Sequence, residues 1–238
     1  SRGIGAATAR LAAQRGYDIC LTYHSRADEA AAVVAEIEQL GRKGLAVRVD
    51  VAEEADVLRL FDTVDDAFGR PDALVNNAGI LELQQRVEAM SADRLARVFA
   101  VNVTGAFLCA REAIRRMSNR RGGRGGAIVN VSSSAARLGA PNEYVDYAAS
   151  KGAIDTFTVG LAKEVVGEGI RVNAVRPGPV HTEIHASGGE PNRIERVKKA
   201  IPMGRGGEPE EVAQAILWLL SEEASYSAGA FIEVSGGL

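Results

Sequence analysis

Short runs of β-branched and apolar residues alternate along the whole chain with segments whose apolar positions recur at helical spacing. Residues 18–23, 44–49, 72–76, 127–132, 170–175 and 230–234 are predicted strands, each without a polar face. Strands apolar on both faces, each followed by a helix, predict a parallel sheet buried on both sides. The fold class is therefore α/β, a three-layer doubly wound arrangement of about seven strands. Residues 53–68 carry Val57, Leu60, Phe61, Val64 and Phe68 on one stripe. A second helix is predicted from near Asp28 to Gly41, a residue suited to a left-handed cap.

No repeat or composition break divides the chain, so residues 1–238 are read as one domain. Residues 181–202 are long, mixed in polarity and rich in Gly and Pro, and are read as a lid, with the charges after Ile184 on a solvated face. The basic stretch at 120–126 joins a helix to a strand and is read as a solvated, flexible loop. The chain opens Ser1-Arg2-Gly3-Ile4-Gly5, without an initiator methionine and directly into helix-like sequence. This leads to the expectation that the first, central strand, roughly ten residues, is missing from the sequence given.

Composition narrows the class of partner. With 46% hydrophobic residues, 25% charged residues and a net charge of −3, there is no basic field for nucleic acid or an anionic membrane. No apolar run reaches the ~18 residues of a membrane span. A small molecule is the expected partner. Cys20 and Cys109 lie far apart among apolar neighbours and read as reduced core residues, which suits a reducing cytoplasm. His24, His181 and His185 have no carboxylate or cysteine partner at ligand spacing, so no metal site is expected.

The candidate chemistry starts at the first helix. Gly3-Ile4-Gly5 begins it with little or no side chain, where backbone N–H groups and the helix dipole suit a pyrophosphate. The strand 18–23 runs into His24-Ser25-Arg26 with no carboxylate at its tip. Arg2 and Arg26 are placed to meet a ribose 2′-phosphate, which favours NADP over NAD. Tyr147 and Lys151 stand at i and i+4 and point from one helix face. A nearby ammonium lowers the pKa of a phenol, so the pair can handle a proton near neutral pH. Upstream, a strand ends in Ser132-Ser133-Ser134, placing hydroxyls at the sheet edge where open α/β folds bind ligands. Asn77-Ala78-Gly79 follows another strand and lets backbone approach a ribose. Asn102, mid-helix among apolar neighbours, is read as a functional amide.

Taken in order, these motifs resemble the short-chain dehydrogenase/reductase family over essentially the whole chain. Ser1 to Gly5 is similar to the end of the family's glycine-rich turn, Asp50-Val51 to its adenine-contacting pair, and Asn77-Ala78-Gly79 to its Asn-Ala-Gly segment. The resemblance implies a catalytic set of Asn102, a serine, Tyr147 and Lys151. It also implies a nicotinamide loop containing Pro177, Gly178, Val180 and Thr182, and a water held by Asn102 that connects Lys151 to solvent. Family spacing points to Ser134, whereas strand phase from Ile128 points to Ser133, which is taken as the catalytic serine. The function implied is NADP-dependent hydride transfer between nicotinamide and a carbonyl or alcohol: a 3-oxoacyl thioester, a sugar or polyol, or a simple ketone. Two other readings are a non-catalytic NADP-sensing protein and a sugar-nucleotide epimerase. The apolar helices 95–117 and 144–166 and the C-terminal residues 231–238 resemble association surfaces that imply a homotetramer or homodimer.

Overall fold

The computed structural model describes residues 2–238; Ser1, expected at the cofactor turn, lies outside them. In chain order the elements are α1 (Gly3–Gln14), β1 (Ile19–Tyr23), α2 (Ala27–Gln39), β2 (Gly44–Arg48), α3 (Glu54–Phe68), β3 (Ala73–Asn76), α4 (Ala92–Phe99), α5 (Gly105–Met117), β4 (Gly126–Val131), α6 (Ala135–Leu138), α7 (Val145–Val165), β5 (Ile170–Pro177), α8 (Ile184–Ser187), α9 (Arg193–Val197), α10 (Pro209–Leu220) and β6 (Phe231–Val234). All strand pairs are parallel. Every strand inferred from the apolar runs is present, with ends shifted by one or two residues.

Alternation along β4 shows why its two faces are both apolar. Ala127, Val129 and Val131 pack with Ala12 of α1 and with Val212, Ile216 and Leu219 of α10. Ile128 points the other way, into a core built with Phe61 of α3, Cys109 and Ala113 of α5, and Leu161 of α7. The result is the Rossmann-like three-layer α/β fold. The six described strands lie in two sheets ordered β1-β2 and β3-β4-β5-β6. Leu21 of β1 and Leu74 of β3 line one cavity.

The 120–126 segment is also tighter than a flexible loop. Gly125 adopts φ +80, and a Cβ on it would stand 2.4 Å from the Gly169 carbonyl oxygen. Only a residue without a side chain lets these two connections pass so closely. At the far end of the sheet, Arg171 of β5 closes the C-terminus of α10. Its guanidinium donates to the carbonyls of Leu219, Leu220, Ser221 and Ala224 at 2.7–3.1 Å. These are the acceptors a helix end leaves unpaired, and a cation complements the dipole there. Arg171→Met should lower the unfolding free energy by about 2–4 kcal/mol. Urea denaturation would check it; a loss within experimental error would show that water serves these carbonyls equally well.

Candidate active site

One continuous cavity of about 1830 Å³ runs from the gap between the sheets to the space beneath α8 and α9. Its walls include the first turn of α1, the carboxyl ends of β3 and β4, the start of α7 and the loop after β5. Open parallel sheets present ligand sites at this edge because the connecting loops diverge there.

The three serines after β4 divide into three roles. Ser132 is buried; its hydroxyl donates to Asp155 Oδ1 at 2.6 Å, and Arg176 holds the same carboxylate at 2.9 Å. Ser134 is buried as well, and its N–H donates to the Pro177 carbonyl. Ser133 is the serine whose hydroxyl meets the Tyr147 phenol, drawing back part of the rise in pKa that burial causes. The three residues alternate in direction as the strand ends, so one residue's difference in register selects which hydroxyl meets the phenol.

Lys151 is buried, and its Nζ donates to the Val131 carbonyl at 2.7 Å. Burial pushes its pKa down to about 8, with the Asp155 carboxylate pulling the other way. The same ammonium lies 5.6 Å from the centroid of the Tyr147 ring. Tyr147 departs from the sequence expectation. Burial raises its pKa, and the moderating partner is Ser133 rather than the ammonium. The phenol is therefore protonated at neutral pH.

Asn102 occupies a π-helical turn, Ala100–Thr104, between α4 and α5. Such turns interrupt regular helix bonding and often accompany functional sites. The side-chain amide bonds protein: Oδ1 accepts from Ile80 N at 2.7 Å, and Nδ2 donates to Ile80 O and to Ser150 Oγ, each at 3.1 Å. Ser150 in turn donates to Tyr147 O at 2.7 Å, so Asn102 ties the loop after β3 to the α7 turn carrying the phenol.

Around α1, the residues fit a dinucleotide. The helix has no side-chain cap and no acidic residue in its first turn, leaving its leading N–H groups available. A Cβ on Gly3 would strike Thr182 at 2.9 Å and one on Gly5 would strike Asn77 at 2.7 Å. The phosphate turn, the 77–79 segment and the loop after β5 thus converge because these two positions lack side chains. Ile4, Asp50, Val51, Ala78, Gly79, Pro177, Gly178 and Val180 line the same cavity, as do His24 and Ser25. Asp50 lies 3.7 Å from His24 Nε2 and accepts from Ala52 N.

At the tip of β1 the sequence missed one group. Arg2 and Arg26 do converge, but on the Glu29 carboxylate, at 3.7 and 3.3 Å; Arg2 also bonds Glu183. Glu29 follows Arg26 in the first turn of α2, and reading only to the strand tip left it out. The other unforeseen pair is Arg94 with Asp146, both buried, bonded in bidentate fashion at 2.7 and 3.2 Å. Arg94 also donates to Leu83 O and Gln85 Oε1, fastening the loop after β3 to the residue preceding Tyr147. In the 181–202 segment Glu195, Arg196 and Lys199 keep the expected solvated face, while Glu190 and Arg193 are drawn inward by pairing. Glu190 and Glu143 hold Arg196 and Arg193, and this keeps Glu190 down at about 2.

Comparison with known proteins covers the whole chain. Residues 1–238 match a family profile described as enoyl-(acyl carrier protein) reductase. The chain is 57% identical over 237 residues to the uncharacterized oxidoreductase YgfF of Escherichia coli (strain K12), covering all of this chain and 96% of that protein. It is 38% identical over 240 residues to glucose 1-dehydrogenase 2 of Bacillus subtilis (strain 168), covering all of this chain and 91% of the relative. Its structure is similar to a short chain dehydrogenase from Burkholderia cenocepacia J2315 in complex with NADP. The TM-score is 0.90 at 32% identity, over 99% of this chain and 93% of the other.

The depressed Lys151 pKa carries a stability consequence. The unfolded chain holds the lysine proton up to its ordinary pKa near 10.5, whereas the folded chain releases it near 8. Below pH 8 the buried charge therefore costs stability, and that cost fades as pH rises through this window. Lys151→Met should raise the melting temperature at pH 7 by about 5 °C, with the advantage shrinking toward pH 10. Calorimetry at the two pH values would test this; a difference independent of pH would refute it.

Proposed function

This chain belongs to the short-chain dehydrogenase/reductase family, and from that premise we propose that it is an NADP-dependent oxidoreductase interconverting a carbonyl and an alcohol on a small molecule. The observation carrying this reading is the meeting of three groups on one cavity wall: the Ser133 hydroxyl, the Tyr147 phenol and the Lys151 ammonium. A nicotinamide dinucleotide supplies or accepts the hydride. In carbonyl reduction, the Tyr147 O–H donates its proton to the substrate oxygen while the Ser133 O–H bonds that oxygen and polarises it. Burial suits the phenol to this direction because it keeps the proton in place at neutral pH. The phenolate left behind is an anion in a dry site, and the Lys151 ammonium is the cation that stabilises it. Asn102 acts as a positioning residue through Ser150, holding the backbone of Tyr147.

For the cofactor, the N–H groups of Gly3, Ile4 and Gly5 would hold its phosphates, with Asp50 and Val51 toward the adenine. Asn77, Ala78 and Gly79 would hold the ribose, and Pro177, Gly178, Val180 and Thr182 the nicotinamide end. Arg2, His24 and Ser25, which line the cavity, would form the pocket for the adenosine 2′ position, with Arg26 reaching it from outside the cavity wall beside Glu29. Arg2 and Arg26, paired with Glu29 and, for Arg2, also with Glu183, are the cations that would meet a phosphate there. The NADP complex of the Burkholderia relative supports the same choice. The names of relatives support each of the substrate classes, sugar or polyol, thioester and simple ketone, in turn: a glucose 1-dehydrogenase of Bacillus subtilis at 38% identity, a 3-oxoacyl-[acyl-carrier-protein] reductase of Synechocystis at 38% and a carbonyl reductase family member of Danio rerio at 41%. Exposed Leu95, Phe99 and Phe107 on α4 and α5 support association into a homodimer or homotetramer, and the two free thiols suit a reducing cytoplasm.

Tyr147→Phe should abolish NADPH-linked turnover, and Ser133→Ala should cut it by ~10²–10³-fold, with Ser134→Ala far milder. Steady-state assays against a carbonyl panel would check this, and a larger loss from Ser134→Ala would reassign the serine. Tight NADPH binding with no turnover of any carbonyl would instead favour a sensor. Arg2→Glu combined with Arg26→Glu should raise the KM for NADPH much more than for NADH. Glu29→Gln, which removes the carboxylate the two guanidiniums share, should lower the KM for NADPH. Equal changes for both cofactors would rule out a 2′-phosphate site.

A further inference from the structure

Behind the Lys151 ammonium stands a second ion pair that the chemistry above does not use. Asp155 follows Lys151 by four residues, on the same face of α7. The Ser132 hydroxyl, which donates to Asp155 Oδ1 at 2.6 Å, also lies 3.3 Å from the Lys151 carbonyl oxygen, so the carboxylate is held one helical turn from the lysine. Its other oxygen, Oδ2, accepts from Arg176 Nε at 3.0 Å and pairs with Nη2 at 2.9 Å. Arg176 precedes Pro177 at the root of the loop after β5. It is fixed on three sides: by Asp155, by Glu233 Oε1 at 2.9 Å, opposite it in register on β6, and by the Phe231 ring, whose centroid is 4.0 Å from Cζ.

The groups facing Lys151 come from few elements. Tyr147 and Asp155 lie on α7 itself, β4 offers the Val131 carbonyl, and the loop after β3 with the π-helical turn offers Gly79 and the neutral Asn102 amide. From α4 comes Arg94, whose charge is matched by Asp146, and from α6 comes Arg137, which pairs with Glu233 beyond Arg176. Asp155 is the anion that acts on the ammonium, favouring its charged form against burial. Arg176 works in the opposite sense, since a cation on the same carboxylate cancels part of its field. The side chains of Asp155 and Arg176 are 15% and 17% exposed, so salt screens them little.

We propose that Asp155 and Arg176 are a positioning pair: together they set how readily Lys151 gives up its proton, and through Lys151 the upper pH limit of carbonyl reduction. The second part rests on the oxidoreductase reading above; the first does not. In that reading the ammonium stabilises the phenolate that Tyr147 becomes, so turnover falls as rising pH removes the ammonium proton. Asp155 delays that loss and Arg176 hastens it. Both act through Lys151.

The lysines are Lys43, Lys151, Lys163, Lys198 and Lys199, few enough for NMR of isotopically labelled lysine ε carbons, with Lys151 assigned by the signal missing from Lys151→Met. In the wild type that signal should titrate at about pH 8. Asp155→Asn removes the charge at nearly constant shape and should move the midpoint about one pH unit lower. Arg176→Met leaves the carboxylate uncompensated and should move it higher. Ser132→Ala removes a tie without a charge and should leave the midpoint in place. For a carbonyl that the protein reduces with NADPH, the alkaline limb of kcat/KM should move with the titration in both charge variants. Opposite displacements are the signature of charge, because damaged packing moves both variants the same way. Shifts in one direction, or none, would overturn the pair's role and leave the oxidoreductase reading intact. A limb that stays in place while the titration moves would overturn the pH limit. Opposite shifts in a protein that binds NADPH and reduces no carbonyl would uphold the pair's hold on Lys151 and overturn the oxidoreductase reading.

Discussion

The hydrogen bond from Lys151 Nζ to the Val131 carbonyl fixes how α7 sits on the edge of β4. A buried ammonium must find an acceptor, because an unpaired charge in this surrounding would cost several kcal/mol. The only way to give it one is to bring the second turn of α7 against the last residue of the strand. Ser132 with Asp155 makes a second tie between the same two elements, one helical turn further on. With both ties made, the Tyr147 phenol faces the Ser133 hydroxyl, and neither residue is free to slide. The chemistry of the site follows from that register.

The surroundings pull against this arrangement in a productive way. Burial that raises the phenol's pKa also lowers the lysine's, so each group is moved toward its neutral form. A protonated phenol beside a readily lost ammonium proton is a poor arrangement for stability and a good one for moving a proton. The polar network beyond it absorbs the strain of position. Asn102 holds α7 through Ser150, and the buried Arg94–Asp146 pair holds it from the opposite side. Every hydrogen-bonding nitrogen of Arg94 is engaged, so the pair resists distortion instead of leaving an unpaired charge.

Glycine carries a second constraint, on approach rather than on register. Gly3 and Gly5 let Thr182 and Asn77 close onto the first turn of α1, gathering loops from three strands around one helix end. The same economy of side chains lets the helix N–H groups face the cavity. Above it, α9 is held by ion pairs from Arg193 and Arg196 to Glu143 and Glu190, beside the buried Ile194.

The sequence alone determined the fold class, the position of all six described strands and the placement of Tyr147 and Lys151 on one helical face. These follow from periodicity, which is a property of neighbouring residues and needs no knowledge of the rest of the chain. Tertiary structure decided what depends on residues distant in sequence. Which of three adjacent serines meets the phenol was settled by the pairing of β4 with β5 and α7. The direction of the Tyr147 pKa came from burial, which no local pattern reports. Glu29 between Arg2 and Arg26, Arg94 on Asp146, and Arg176 on Asp155 arise from helices, strands and loops packing against one another. Chain order leaves such contacts open because a side chain's partner is chosen by the packing of whole elements.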